Sequence, residues 1–171
     1  MPATFSQLKR GFTLIETLVA IAIMMLAIAG PLTIAHKGVQ SALYAKDQIT
    51  AYYLAQDAVE YIRSVRDGNL IANPSGNWLA GLDSCIDRNC TGDTIAGTVS
   101  SCPGACTPLK YADGKYNYTA SADSIFTRTT TITSPAANNA TVNVTISWRT
   151  GLFTKTFEVK ENLMNIFANT P

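Results

Sequence analysis

Between Phe12 and Ala35 the chain carries a single charged side chain, Glu16, in an otherwise apolar run. As a helix this run would be roughly 36 Å long, enough to cross a bilayer. A carboxylate at that depth is costly in hydrocarbon, so it reads as a functional group whose partner must be named. Leu18–Ala29 is unbroken apolar sequence, Gly30-Pro31 interrupts it, and Leu32–Ala35 resumes it. Proline removes a backbone donor and crowds the preceding turn, so a kink or a locally weak helix is expected there.

What precedes the run matters as much. A secretory signal peptide places its small-residue cleavage site after a short apolar core. Here the glycine, Gly11, comes before the core and follows Lys9-Arg10. Those two cations should hold the leader on the cytoplasmic side and send the rest of the chain outward. With 171 residues, there is room for one ordinary domain beyond the membrane segment. The net charge of +1 gives no bulk attraction to nucleic acid, and no clear nucleic-acid site is legible. Removing Lys9 and Arg10 from the 13 basic residues would leave 11 against 12 acidic ones.

The order Lys9-Arg10-Gly11-Phe12-Thr13-Leu14-Ile15-Glu16, followed by Leu18-Val19-Ala20-Ile21-Ala22-Ile23, resembles the class III signal of type IV pilins and type II secretion pseudopilins. The resemblance covers about the first quarter of the chain. It implies that a prepilin peptidase cuts between Gly11 and Phe12, requires Gly11, and methylates the new Phe12 amine. It also implies that Glu16 neutralises the N-terminus of a neighbouring subunit during assembly. Breaking such a buried pair costs roughly 3–5 kcal/mol, because one charge is left uncompensated. Further partners implied are other pilin or pseudopilin subunits, an inner-membrane assembly platform, and membrane lipid before assembly.

Ser41–Arg66 contains no Gly or Pro and is rich in helix-compatible residues. Tyr44, Ala51, Ala55, Ala58, Ile62 and Val65 recur at three- and four-residue steps, with Leu54 and Tyr61 beside them. That is one apolar stripe, suited to covering a folded head. One helix is therefore expected from about Thr13 to Arg66, with Asp67-Gly68-Asn69 as its stop and Gly68 as a left-handed cap. His36 and Lys37 mark the expected water boundary.

From Asn69 to Gly114 periodicity is lost, and an irregular connection is expected. Trp78 should pack it against the helix. The segment holds all four cysteines, Cys85, Cys90, Cys102 and Cys106. Beyond a membrane anchor these suggest disulfides in an oxidising compartment, with three pairings open. The competing four-thiolate zinc site has only loosely compatible spacing. Asp83, Asp87 and Asp93 read as solvated loop carboxylates rather than an ordered calcium site. No cofactor is implied.

Beyond Tyr116, period-two alternation begins. Its clearest instance is Val142, Val144, Ile146 and Trp148 between polar neighbours. Thr150-Gly151 turns that strand into a partner carrying Phe153, Phe157 and Val159, and Glu161–Phe167 reads as a last helical turn. An antiparallel sheet with one apolar face needs a cover, and the helix stripe supplies it. The expected fold class is α+β: a long N-terminal membrane and assembly helix with a pilin-like antiparallel β-sheet head packed on its outer half. The expected division is leader 1–11, transmembrane and assembly helix 12–35, amphipathic helix 36–67, cysteine-containing loop 68–114 and sheet head 115–171.

The reading that follows is a structural subunit of a type IV pilus-like filament or a type II secretion pseudopilus. The cysteine-rich segment and Ile15-Glu16-Thr17-Leu18-Val19 look most like a minor pilin-like subunit. A single-pass inner-membrane protein with its head outside would then enter a surface filament or periplasmic pseudopilus. An enzyme would need converging nucleophile, base or metal ligands, and one boundary histidine does not supply them. The alternative is a membrane-anchored extracytoplasmic binding module that does not polymerise.

Overall fold

The computed structural model describes residues 11–136 and 138–167, so Lys9 and Arg10 of the expected leader lie outside the described residues. Among the described residues one α-helix, α1 (Leu14–Ala72), is followed by a single 3-10 turn (Asp83–Cys85) and seven strands: β1 (Cys90–Asp93), β2 (Thr98–Ser101), β3 (Pro108–Ala112), β4 (Lys115–Asn117), β5 (Asp123–Ala136), β6 (Asn139–Thr150) and β7 (Phe153–Met164). The α+β architecture, a long N-terminal helix and an antiparallel open-sheet head, is the one expected from the sequence. Two compact units divide between Tyr44 and Ala45.

In the first unit α1 runs unbroken through Pro31. Proline offers no N–H to the Ala27 carbonyl, and Thr33 turns its hydroxyl back onto the Ala29 carbonyl at 2.8 Å. The apolar stretch is long enough to cross a membrane, and none of it is buried by the chain itself. Near its end His36 and Gln40 share a 2.9 Å hydrogen bond one turn apart.

The second unit is the head. Strand β5 is its spine: one edge pairs with β6 from Phe126 to Ala136, and the other pairs with β3 near Thr127 and with β1 at Thr130. The outer pairs are β1–β2, β3–β4 and β6–β7, all antiparallel. On β6, Val142, Val144, Ile146 and Trp148 are buried while their neighbours are partly exposed. That is the pleat's two-residue period with one dry face. The dry face packs on Ala51, Leu54, Ala55, Ala58, Val59 and Ile62 of α1. The alanines let helix and sheet approach closely, and the larger side chains fill the remaining space.

Several expectations are corrected. The helix does not stop at Gly68 but runs to Ala72, because Leu70 is buried in the core and Pro74 ends the element two residues later. Gly68 accordingly has no left-handed backbone. Tyr44 lies outside the core, whereas Val59 and Leu70 belong to it. The segment 68–114, expected as an irregular loop, contains β1, β2 and β3. Trp78 does join the core, with Asn69 Nδ2 donating to the Trp78 and Ala80 carbonyls at 3.2 and 2.9 Å. Glu161–Met164 is strand rather than helix, since β7 stays in register with β6 from Phe153 to Met164. Asp113 and Gly114 both take positive φ, 51° and 76°, the primed two-residue turn that closes β3 onto β4.

Candidate functional site

The site begins at the first turn of α1. Gly11 and Phe12 precede the helix, and both are exposed. Thr13 sits at the N-cap: its carbonyl accepts from Glu16 and Thr17 N–H at 3.1 and 3.2 Å, and its Oγ1 accepts from Glu16 N–H at 3.3 Å. Thr-x-x-Glu is the sequence form of a capping box, a signal that complements the reading of Glu16 alone. The cap fixes where the helix starts, so Glu16 stands in the first turn, at the positive end of the helix dipole. A carboxylate here is stabilised by the unpaired N–H groups of that turn even before any cationic amine appears. Phe12, Leu14, Ile15 and Leu18 around it are all exposed.

A basic leader, a glycine, a capped helix start with its carboxylate, and an uncovered apolar helix now stand in one order. Residues 7–30 carry the prokaryotic N-terminal methylation motif. This methylation motif is the class III signal of type IV pilins; it supports a pilin-like substrate of prepilin peptidase, and the long apolar helix that carries it fits a membrane anchor. No curated protein and no solved structure matches the chain. The motif therefore speaks for the first helix, and the head must be read on its own.

Within the head the cysteines form two local pairs, Cys85–Cys90 and Cys102–Cys106, each with Cα atoms 5.0 Å apart. All four thiols are consumed, which removes the thiolates a zinc site would need. Cys85 and Cys90 lie in the core, and Cys102 and Cys106 are half-buried. Replacing Cys102 and Cys106 together by serine is expected to lower head stability by about 2 kcal/mol, the closure entropy of so short a loop. The same change at Cys85 and Cys90 should cost more, because it also buries two hydroxyls. Urea unfolding of the full chain in detergent micelles reads both.

The aspartates of this segment are not gathered. Asp83 and Asp87 lie at separate turns, and Asp93 is turned inward and only 4 % exposed. Its Oδ1 accepts from the Ile95 and Ala96 N–H groups at 3.0 and 2.9 Å, and its Oδ2 accepts from Tyr118 N–H at 3.0 Å. Asp93 is thus a structural acceptor that ties the β1–β2 turn to the end of β4, which corrects the expectation of a solvated carboxylate. Burial alone pushes its carboxyl up. Donors from Ala96, Tyr118 and Ile95 and the charge of Arg128 outweigh that and hold it below the usual carboxylate range.

A depressed folded value means the ion stabilises the head above the ordinary aspartate range, and that support is lost as pH falls through the folded value. Asp93→Asn should therefore be less stable than the parent at pH 7, with the gap narrowing below about pH 4. Thermal unfolding across that range checks it.

The residue that sequence reading missed is Arg128. It lies on the dry face of β5, 1 % exposed, between Phe126 and Thr130. Its Nη1 donates to the Leu54 carbonyl at 3.1 Å and to Asp57 Oδ2 at 2.8 Å, and its Nη2 donates to the Gly92 carbonyl at 2.6 Å. Thr94 Oγ1 also donates to Asp57 Oδ2, at 2.8 Å. One guanidinium thereby joins α1, β1 and β5. Its only sequence signal is an arginine at an inward position of an alternating strand.

Proposed function

We propose that the chain is a structural subunit, minor pilin-like, of a type IV pilus-like filament or type II secretion pseudopilus. Prepilin peptidase cuts after Gly11 and methylates the Phe12 amine. The subunit then waits in the inner membrane with its head on the outer side, and an assembly platform draws it into the polymer. There the apolar part of α1 leaves lipid for a bundle of like helices, and Glu16 meets the Phe12 amine of a neighbour. The role is architectural rather than enzymatic.

The methylation motif carries this reading. The exposed apolar face of the first unit supports it, since such a surface needs lipid or other helices around it. Shearing cells and separating filaments from membranes tests it. The processed chain is expected in the sheared filament fraction, or crosslinked to other pseudopilins in the envelope. A chain found only as a membrane monomer under assembling conditions contradicts it and favours a non-polymerising binding module.

A further inference from the structure

A groove of about 500 Å³ opens on the head, a size at which ligand sites are found. Every residue that lines it lies beyond Ala45, so it belongs to the head alone. Tyr53 and Asp57 of α1 form one wall, Thr94 and Ile95 of the β1–β2 turn a second, and Lys115 and Tyr116 of β4 a third.

Two buried charges hold those walls in place. Arg128 joins Asp57 and the Leu54 carbonyl on the helix to the Gly92 carbonyl on β1. Asp93 accepts from Ile95 N–H in the turn and from the N–H of Tyr118, the residue after β4. Charges are costly to bury, and here each wall is tied to the next by one of them. The groove is therefore shaped before anything enters it, which spares a ligand the cost of ordering the site. Its surfaces are also left open. Asp57 Oδ2 accepts from both Arg128 and Thr94, while Oδ1 takes no hydrogen bond among the described residues, and the side chain is half-exposed. The Lys115 ammonium pairs with no carboxylate among the described residues. Tyr53 and Ile95 are 63 % and 56 % exposed. Tyr116 rests edge-on against Phe126, and Tyr111 beside it, with ring centroids 4.8 Å apart, carries exposed aromatic surface past the groove.

Charge decides what fits. A phosphate or other anion would meet the Asp57 carboxylate. A cation would meet the Lys115 ammonium, and an Asp57 that Arg128 already neutralises. A wholly apolar ligand would strip water from both charged groups and replace none of it. A neutral ligand with an apolar face and a rim of hydroxyls avoids all three costs. Its face lies on a tyrosine ring, and its hydroxyls donate to Asp57 Oδ1 and accept from Lys115. That is the chemistry of a pyranose sugar, and a groove that runs on to Tyr111 suits several units in a row. We infer that this groove binds a neutral oligosaccharide, with Tyr53 as its platform and Asp57 as the acceptor that orients its hydroxyls. The site is complete within one head and does not require polymerisation.

Saturation-transfer NMR on the full chain in deuterated phosphocholine micelles tests the site. The probes are cellohexaose, maltohexaose and chitohexaose, all neutral, and the anionic hexagalacturonate. At least one neutral probe should receive saturation, strongest at the carbon-bound protons of its rings, and hexagalacturonate should receive much less. Asp57 is left in place because it also holds the head together. Tyr53→Ala removes an exposed ring and should weaken binding about tenfold or more, as truncating an aromatic anchor does. Ile71→Ala, exposed near the far end of α1, should leave binding unchanged. Absence of transfer to every neutral probe overturns the site, and so does binding that Tyr53→Ala leaves intact. Tighter binding of hexagalacturonate than of the neutral probes overturns it as well. Crosslinking of benzoylphenylalanine at position 53 to a second copy, with no neutral probe bound, would assign the groove to subunit contacts instead.

Discussion

Glu16→Ala is expected to leave the chain processed, methylated and membrane-bound, but absent from filaments. The carboxylate stands in the first turn of α1, one turn from Phe12, whose amine the proposed cleavage after Gly11 would expose. Inside a bundle of apolar helices that amine has no water to solvate it. Losing its counter-charge should cost about 3–5 kcal/mol per contact, or roughly two to four powers of ten in each association constant. A polymer built from many such contacts does not form. Glu16→Gln isolates the charge, because it keeps the size and acceptor of the side chain; it too should block assembly. Immunoblots of sheared filament and membrane fractions read both variants. Normal filament yield from Glu16→Ala would mean that the carboxylate serves only the helix start, beside the Thr13 cap.

In the head, the largest expected loss comes from Asp57→Ala, and the direction of the asymmetry is informative. Arg128 is buried, whereas the Asp57 side chain is 47 % exposed. Removing Asp57 takes from a buried guanidinium its hydrogen-bonded counter-charge and leaves only the nearby charge of Asp93. The cost should be about 3 kcal/mol, at the low end for a broken buried pair because water reaches that side. Arg128→Met removes the buried charge itself and keeps apolar bulk, while Asp57 turns to water and Thr94. It should cost less, about 1–2 kcal/mol, mainly for the carbonyls left without their donor. Denaturant unfolding of the two full-length variants in micelles ranks them. A reversed order would mean that Arg128 acts by packing and that its pairing with Asp57 is incidental.

Different parts of this molecule were legible to different degrees. The N-terminal helix is written in composition: a long apolar run with one carboxylate admits few other readings. The pair β6–β7 is written in alternation, because Val142 to Trp148 and their partners must face one core. Strands β1 to β3 were hidden because they are short and their burial comes from unusual residues. In β1 the core position is held by Cys90, tied back to Cys85, and the inward carboxylate of Asp93 reads in sequence as a loop. Arg128 was hidden because an arginine between threonines looks like a solvated edge. It becomes a core residue only once α1 and β1 supply the acceptors. The overshoot of α1 past Gly68 has the same origin, since burial of Leu70 outweighs the local stop signal.

The mass of the N-terminal peptide from protein isolated out of its own cells tests the central claim most directly. The account predicts a mature chain that starts at Phe12 with one methyl group on its α-amine and no trace of Lys9, Arg10 or Gly11. A native chain that still begins at Met1 and carries an unmodified leader would contradict it, because Glu16 would then have no new amine to meet.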